Sequence, residues 1–241
     1  GPGRLEVERN VVVGNGGRRG DPPTDGFHLS LLRWGSASVR DNEVTDVHQQ
    51  GIRVGHFDRD EPVVPYDERS GLVCTGNVVR NVWGEDKANG IMAHGARMRI
   101  EGNQVAEVSS GDGGPVGASD TEGIYVKGQD IVIRDNVLRD AGRSQAQITV
   151  KADDVTVEAN HITFERSRVG AAIRLEGRHH RVVGNTVVGG QPDGTVISVQ
   201  DQPSDDDELL IEGNTIDSAS AARAIVVDRR SRVRVTGNRI E

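Results

Sequence analysis

Two of the three lysines in the chain, Lys127 and Lys151, stand 24 residues apart at the same place in the same short phrase, Ile-x-Val-Lys. At matching offsets in neighbouring copies of that phrase stand His94, Tyr125, Arg174 and Glu176, with Arg53 and His28 further toward the N-terminus. These residue types define a chemistry. Lys and Arg neutralise a carboxylate and stabilise the enolate-like charge that develops when the proton beside it is removed. His, Tyr or a desolvated Lys can remove that proton and protonate a leaving oxygen or the opposite face. His94, Tyr125, Lys127 and Lys151 are therefore the candidate catalytic residues, and Arg53, Arg174, Glu176 and His28 the candidate substrate-binding residues. Glycosidic hydrolysis would instead need two carboxylates roughly 5–10 Å apart. Glu176 and Asp228, two copies apart and about 10 Å by strand spacing, supply such a pair.

These residues act together only if the chain brings them onto one face, and a repeat dictates how. Nine times an alternating apolar stretch is followed by two residues, an asparagine, one residue and an apolar residue. "MRIEGNQV" at Asn103 and "VTVEANHI" at Asn160 are examples; the others fall at Asn10, Asn42, Asn77, Asn136, Asn185, Asn214 and Asn238. The spacings are 32, 35, 26, 33, 24, 25, 29 and 24 residues, as expected of a coil that tolerates loop insertions. Upstream of the asparagines lie Gly-apolar-x-apolar segments, "DGFHLS", "QGIRVG", "NGIMAH" and "EGIYVK", relaxing to "AQITVK", "AAIRLE", "TVISVQ" and "RAIVVD". From Ile91, Ile124, Ile148 and Ile173 the next asparagine is always 12 residues away.

Each coil thus holds at least two strands of period-2 pattern joined by a short bend, one set of side chains facing in and the other out. Helical periodicity is nearly absent. The pattern predicts an all-β, single-stranded parallel β-helix of about nine coils, stacked about 4.8 Å apart. The asparagines are expected at tight bends in the left-handed conformation, their amides bonded to the coils above and below. Stacking then lines up two outward columns. One runs His28, Arg53, Met92, Tyr125, Thr149, Arg174, Ser198, Val226; the other runs Ser30, Gly55, His94, Lys127, Lys151, Glu176, Gln200, Asp228. Lys127 on Lys151 is destabilising at strand spacing unless an acid neighbours the pair or an anion sits between.

The bulk numbers exclude several alternatives. A net charge of −8 lacks the basic footprint of non-specific nucleic-acid binding. No apolar run approaches the roughly 18 residues of a membrane span. Aromatics are only 3% of the chain, which suits a narrow solenoid filled by Val, Ile and Ala. The single cysteine, Cys74, excludes an intrachain disulfide and reads as an inert core thiol. The repeat is under way at Leu5 and still under way at Ile240, so one β-helix domain over residues 1–241 is expected, lacking one or both caps. Residues 1–3 read as a cleavage scar, and uncapped ends would allow oligomerisation.

The Gly-Ile-x-Val and Val-x-Ile-x-x-Asn-x-Val segments resemble those of right-handed parallel β-helix proteins, the pectate-lyase-like superfamily, over essentially the whole chain. The resemblance implies the right-handed coil sense. It also implies a range of functions: polysaccharide lyases, glycoside hydrolases, uronate epimerases, phage tailspikes, adhesins and catalytically silent scaffolds. Joined to the columns, it implies most sharply a lyase or C5-epimerase acting on uronate-containing glycan, with a polysaccharide partner and an extracellular or cell-surface location. Lys127, Lys151 and Arg174 would bind the carboxylate, His94 and Tyr125 would share the acid and base roles, and Glu176 would orient a lysine. Two other readings stay open: a non-catalytic spike, adhesin or assembly solenoid, and a glycoside hydrolase using Glu176 and Asp228. Any wet strand face shows polar columns, and a Lys–Glu pair across coils is by itself an ordinary surface ion pair.

Insertions at 15–26, 55–71 and 109–123 run into or out of a Gly-apolar strand and should rim the same columns, with a fourth at 201–208. No cofactor is expected. The acidic turns "DRDE" (58–61) and "SDDDE" (204–208) offer oxygens for Ca²⁺ without the spacing of a calcium loop. His179-His180 reads as an exposed turn pair. Trp34 and Trp83 fall near bends, where packing and sugar stacking are both open.

Overall fold

A computed structural model describes residues 3–14, 26–30, 35–55, 71–84, 87–110, 120–141, 146–165, 171–189, 195–200, 208–217, 223–227 and 232–241. Every element there is a β-strand, paired in parallel with its equivalents in the neighbouring coils. Each coil has three walls, one more than the repeat requires. The strand Lys87–Glu101 runs along the first wall, bends at Arg97 (φ 50°) and continues along the second; past Asn103, Gln104–Ser110 forms the third. Asp120–Arg134 with Val137–Ala141, and Ala146–Glu158 with His161–Thr163, repeat that path. Among the described residues the first two walls form one 14-stranded sheet and the third wall a nine-stranded sheet.

The interior is a set of aliphatic stacks, because coil repetition puts equivalent side chains in register. Ile52, Ile91, Ile124, Ile148, Ile173 and Ile197 line the first wall. Val44, Val79, Val105, Leu138, Ile162, Val187 and Ile216 line the third. All are buried. β-branched residues suit this packing, being stiff and well matched to a pleated surface. Cys74 belongs to the interior too, and burial raises its thiol to about 12, which keeps it protonated and unreactive. The recurrent Gly of the early segments marks the corner between third and first walls. A Cβ on Gly90 would lie 2.4 Å from Val105 Cγ1 and 2.6 Å from the Gly123 carbonyl oxygen, so no side chain fits.

The nine asparagines form an unbroken ladder between the second and third walls. Every Nδ2 up to that of Asn214 donates to the Oδ1 of the asparagine one coil on, as from Asn103 to Asn136 and from Asn136 to Asn160, both at 2.9 Å. The backbone N–H of the same residue donates to that oxygen as well, and the amide's second hydrogen goes to a carbonyl of the preceding coil, as from Asn136 to Ile100. The bend conformation differs from the expectation. The left-handed residue is the one before each asparagine: Arg9, Asp41, Gly76, Gly102, Asp135, Ala159, Gly184, Gly213 and Gly237 all have φ between 52° and 65°. That arrangement frees the asparagine to aim its amide along the stack.

The histidine pair also differs. His179 is exposed and its Nδ1 lies 3.1 Å from Asp154 Oδ1, but His180 turns into the core and is only 1% exposed. It takes the place of Val155 one coil earlier and Leu209 one coil later. Burial lowers its pKa to about 4, against partial relief from Asp153 and the Gly177 carbonyl. Among the described residues neither ring nitrogen has a partner in full hydrogen-bond geometry.

Candidate functional site

The first wall carries the candidate residues on its outer side, and the register of the two columns is as the repeat implies. Arg53, Met92, Tyr125, Thr149, Arg174 and Ser198 stand in line. So do His94, Lys127, Lys151, Glu176 and Gln200. Alternation explains the placement: Ile124 and Val126 fill the core, so Tyr125 and Lys127 between and after them face out. His28 is in register with Arg53, but its side chain lies outside the described residues, as do Asp228, Trp34 and the "DRDE" turn. The insertions at 15–26, 55–71, 109–123 and 201–208 lie there almost entirely. The first three are anchored at Gly14 and Gly26, Gly55 and Gly71, and Ser110 and Asp120, the corners that flank the first wall.

Charge is distributed unevenly on this face. Glu176 holds two cations: its Oε1 accepts from Arg174 Nη2 at 2.9 Å, and its Oε2 lies 3.5 Å from Lys151 Nζ. Lys127, in register with Lys151, has no carboxylate partner among the described residues. The outer column of the second wall shows the ordinary solution. There Arg134 sits in register between Glu101 and Glu158, 3.1 Å and 3.9 Å from their carboxylates. Alternating signs satisfy stacked charges on the second wall; the first wall stacks lysine on lysine.

His94 completes the group. Its ring lies 5.6 Å from the Tyr125 ring at 53°, a tilted contact. Burial first, then the charges of Lys127 and Arg53, lower its pKa to about 3, so the imidazole is neutral at any ordinary pH. The face is less open than alternation alone implies. Thr149, expected to face water, is 0% exposed, and its Oγ1 has no hydrogen-bond partner among the described residues. It lies in register between Tyr125 and Arg174, at the centre of the group. A neutral imidazole, a phenol, an ammonium without a carboxylate partner among the described residues and a buried hydroxyl can together bind an anion and move a proton beside it.

One further row was missed. Gln50, Asn89 and Glu122 stand in register on three successive coils and are 9%, 5% and 3% exposed. Each is the polar residue directly before the Gly of "QGIRVG", "NGIMAH" and "EGIYVK", a signal visible in the repeat. In the next two coils Ala146 and Ala171 take the position. Trp83 lies near the same corner, half-buried, its ring 5.0 Å from that of His48. Among the described residues no three His, Cys, Asp or Glu side chains are grouped as a metal site. Nor is any helix there long and apolar enough to cross a membrane.

The chain is similar to several solved structures at low identity. A mutant of the periplasmic alginate epimerase AlgG aligns with TM-score 0.42 and 12% identity, over 86% of this chain and 51% of that one. A tailspike protein mutant of E. coli bacteriophage HK620, in complex with pentasaccharide, aligns with TM-score 0.45 and 12% identity, over 98% of this chain and 49% of that one. The chain thus spans about half the length of these structures. No curated protein matches it. The family described as a right handed beta helix region matches residues 116–241. That stretch is more than half of the chain and takes in Tyr125, Lys127, Lys151, Arg174 and Glu176, and on it the protein belongs to the right-handed parallel β-helix family.

Proposed function

We propose that the protein acts on an acidic polysaccharide, and most specifically that it is a lyase or C5-epimerase of uronate-containing glycan. The observation that carries the reading is Lys127, a cation with no carboxylate partner among the described residues, in register with Lys151 beside a neutral histidine. A substrate carboxylate between the two ammonium groups relieves their repulsion. Arg174, held by Glu176, adds a third positive group. With the carboxylate neutralised, the proton beside it becomes acidic enough for His94 or Tyr125 to remove. Return of a proton to the opposite face gives the epimer, and expulsion of the bridging oxygen gives the unsaturated lyase product. Tyr125, whose ring packs against that of His94, is the second proton carrier in this reading.

The hydrolase reading has less support, because Glu176 is engaged by two cations and is a poor general acid while so held. A purely structural solenoid would leave the lysine pair without purpose, since the alternating column of the second wall shows that the fold readily avoids one. The test is incubation with a panel of polyuronates, following the ultraviolet absorbance of unsaturated ends and, by NMR, the ratio of C5 epimers. Product of either kind from a polyuronate, and none from a neutral glycan, is expected. No product and no retention of any acidic glycan would remove the proposal.

A further inference from the structure

We infer that Thr149 is a positioning residue of the lysine face, its hydroxyl kept to orient the Arg174 guanidinium against the substrate carboxylate; the inference rests on the function proposed for that face. Thr149 is 0% exposed, and its Oγ1 has no hydrogen-bond partner among the described residues. A buried hydroxyl without a partner costs stability, and each such group calls for a reason. Packing supplies none. Valine has the same shape, carries no polar atom and suits a strand at least as well, and Val226 stands in the same column. Nor does the fold lack means to satisfy such a group. Two coils on in that column, the buried Ser198 hydroxyl accepts from Gln200 Nε2 at 3.4 Å, two residues along the same strand. Lys151 holds the equivalent position beside Thr149, but its ammonium is drawn to Glu176, with Oε2 at 3.5 Å.

Register identifies what the hydroxyl serves. Thr149 lies between Tyr125 and Arg174, one strand spacing, about 4.8 Å, from each backbone. A guanidinium carries several N–H donors in a rigid fork, and Arg174 gives one of them, on Nη2, to Glu176 at 2.9 Å. When a substrate carboxylate takes the fork, the guanidinium turns, and Thr149 Oγ1 is the acceptor at its root that fixes the new orientation. Ground-state binding needs the positive charge alone; the enolate-like transition state needs the fork aimed. Thr149 thus acts on the chemical step through Arg174 and touches no reacting atom.

The test compares wild type, Thr149→Val and Thr149→Ser, each as the full chain, on a polyuronate that wild type turns over. Thr149→Val should melt at the wild-type temperature or higher, while kcat falls about tenfold and KM stays within about twofold. Thr149→Ser, which keeps the hydroxyl, should regain most of the kcat. In an Arg174→Lys background the fork is gone, and there Thr149→Val should change kcat by less than about twofold. Wild-type kinetics in Thr149→Val overturn the inference and leave the function proposed for the face standing. A lower melting temperature in Thr149→Val, or an effect on kcat undiminished in the Arg174→Lys background, overturns it as well. A wild type that turns over no polyuronate removes that function first, and this inference with it.

Discussion

In the proposed function Lys127 is the decisive residue, because among the described residues it has no carboxylate partner on a face where Glu176 is already shared by Arg174 and Lys151. Lys127→Ala should lower kcat/KM on a polyuronate at least about 100-fold, the loss of one charged transition-state contact. Glu176→Gln should act more mildly and through KM, since it positions cations and touches no reacting atom. Two histidines set the response to acid. Both have folded pKa values below the ordinary 6.5, about 3 for His94 and about 4 for His180. The unfolded chain therefore binds more protons than the folded one below pH 6.5. Stability is whole above that pH and is lost as pH falls through the interval, by up to about 3 kcal/mol for His180 at roughly 1.4 kcal/mol per pKa unit. His180→Leu, which continues the column of Val155 and Leu209, should raise the melting temperature at pH 5 and flatten its pH dependence. If His94 is the base, kcat/KM should stay level from pH 7 to pH 5, where an unperturbed histidine would cost activity.

At the scale of the element, the ladder and the bends decide stability. Asn136 donates to Asn160 and Ile100 and accepts from Asn103. Asn136→Ala strands several buried groups and should cost about 3–5 kcal/mol in chemical denaturation. The same change at exposed Asn10 should cost well under half of that. Gly102, at φ 63° with open space around its α-carbon, isolates backbone strain from packing. Gly102→Ala should cost about 1 kcal/mol. Strand order, inward and outward sides, and the register of both columns were legible in the sequence, because a period of two and a recurring asparagine admit one alignment. The third wall was not, since Asn-x-apolar is too short a pattern to declare a strand. The left-handed residue was assigned one position late, because asparagine tolerates that conformation as readily as its neighbours do. His180 was misplaced because a turn pair looks exposed until the bend shows which residue re-enters the core. Burial of Thr149 and Glu122 was hidden because alternation gives direction and says nothing of what covers a side chain.

For the molecule as a whole, the repeat is scaffold, and the proposed function is assigned to the strip where charge departs from the repeat. A chain of net charge −8 presents a strip of Arg53, Lys127, Lys151 and Arg174 on one wall, flanked by the corners from which its longest insertions leave. Such a strip should attract an acidic polymer against the overall charge of the protein, with an affinity that falls as salt rises. The most direct measurement compares binding of a polyuronate with binding of the same polymer after its carboxylates are reduced to alcohols, for wild type and for Lys127→Ala. Wild type should bind the polyuronate at least about tenfold more tightly than the reduced polymer, and Lys127→Ala should lose most of that preference. Equal affinity of wild type for the two polymers, or a preference unchanged in Lys127→Ala, would contradict the assignment of the lysine face as the site.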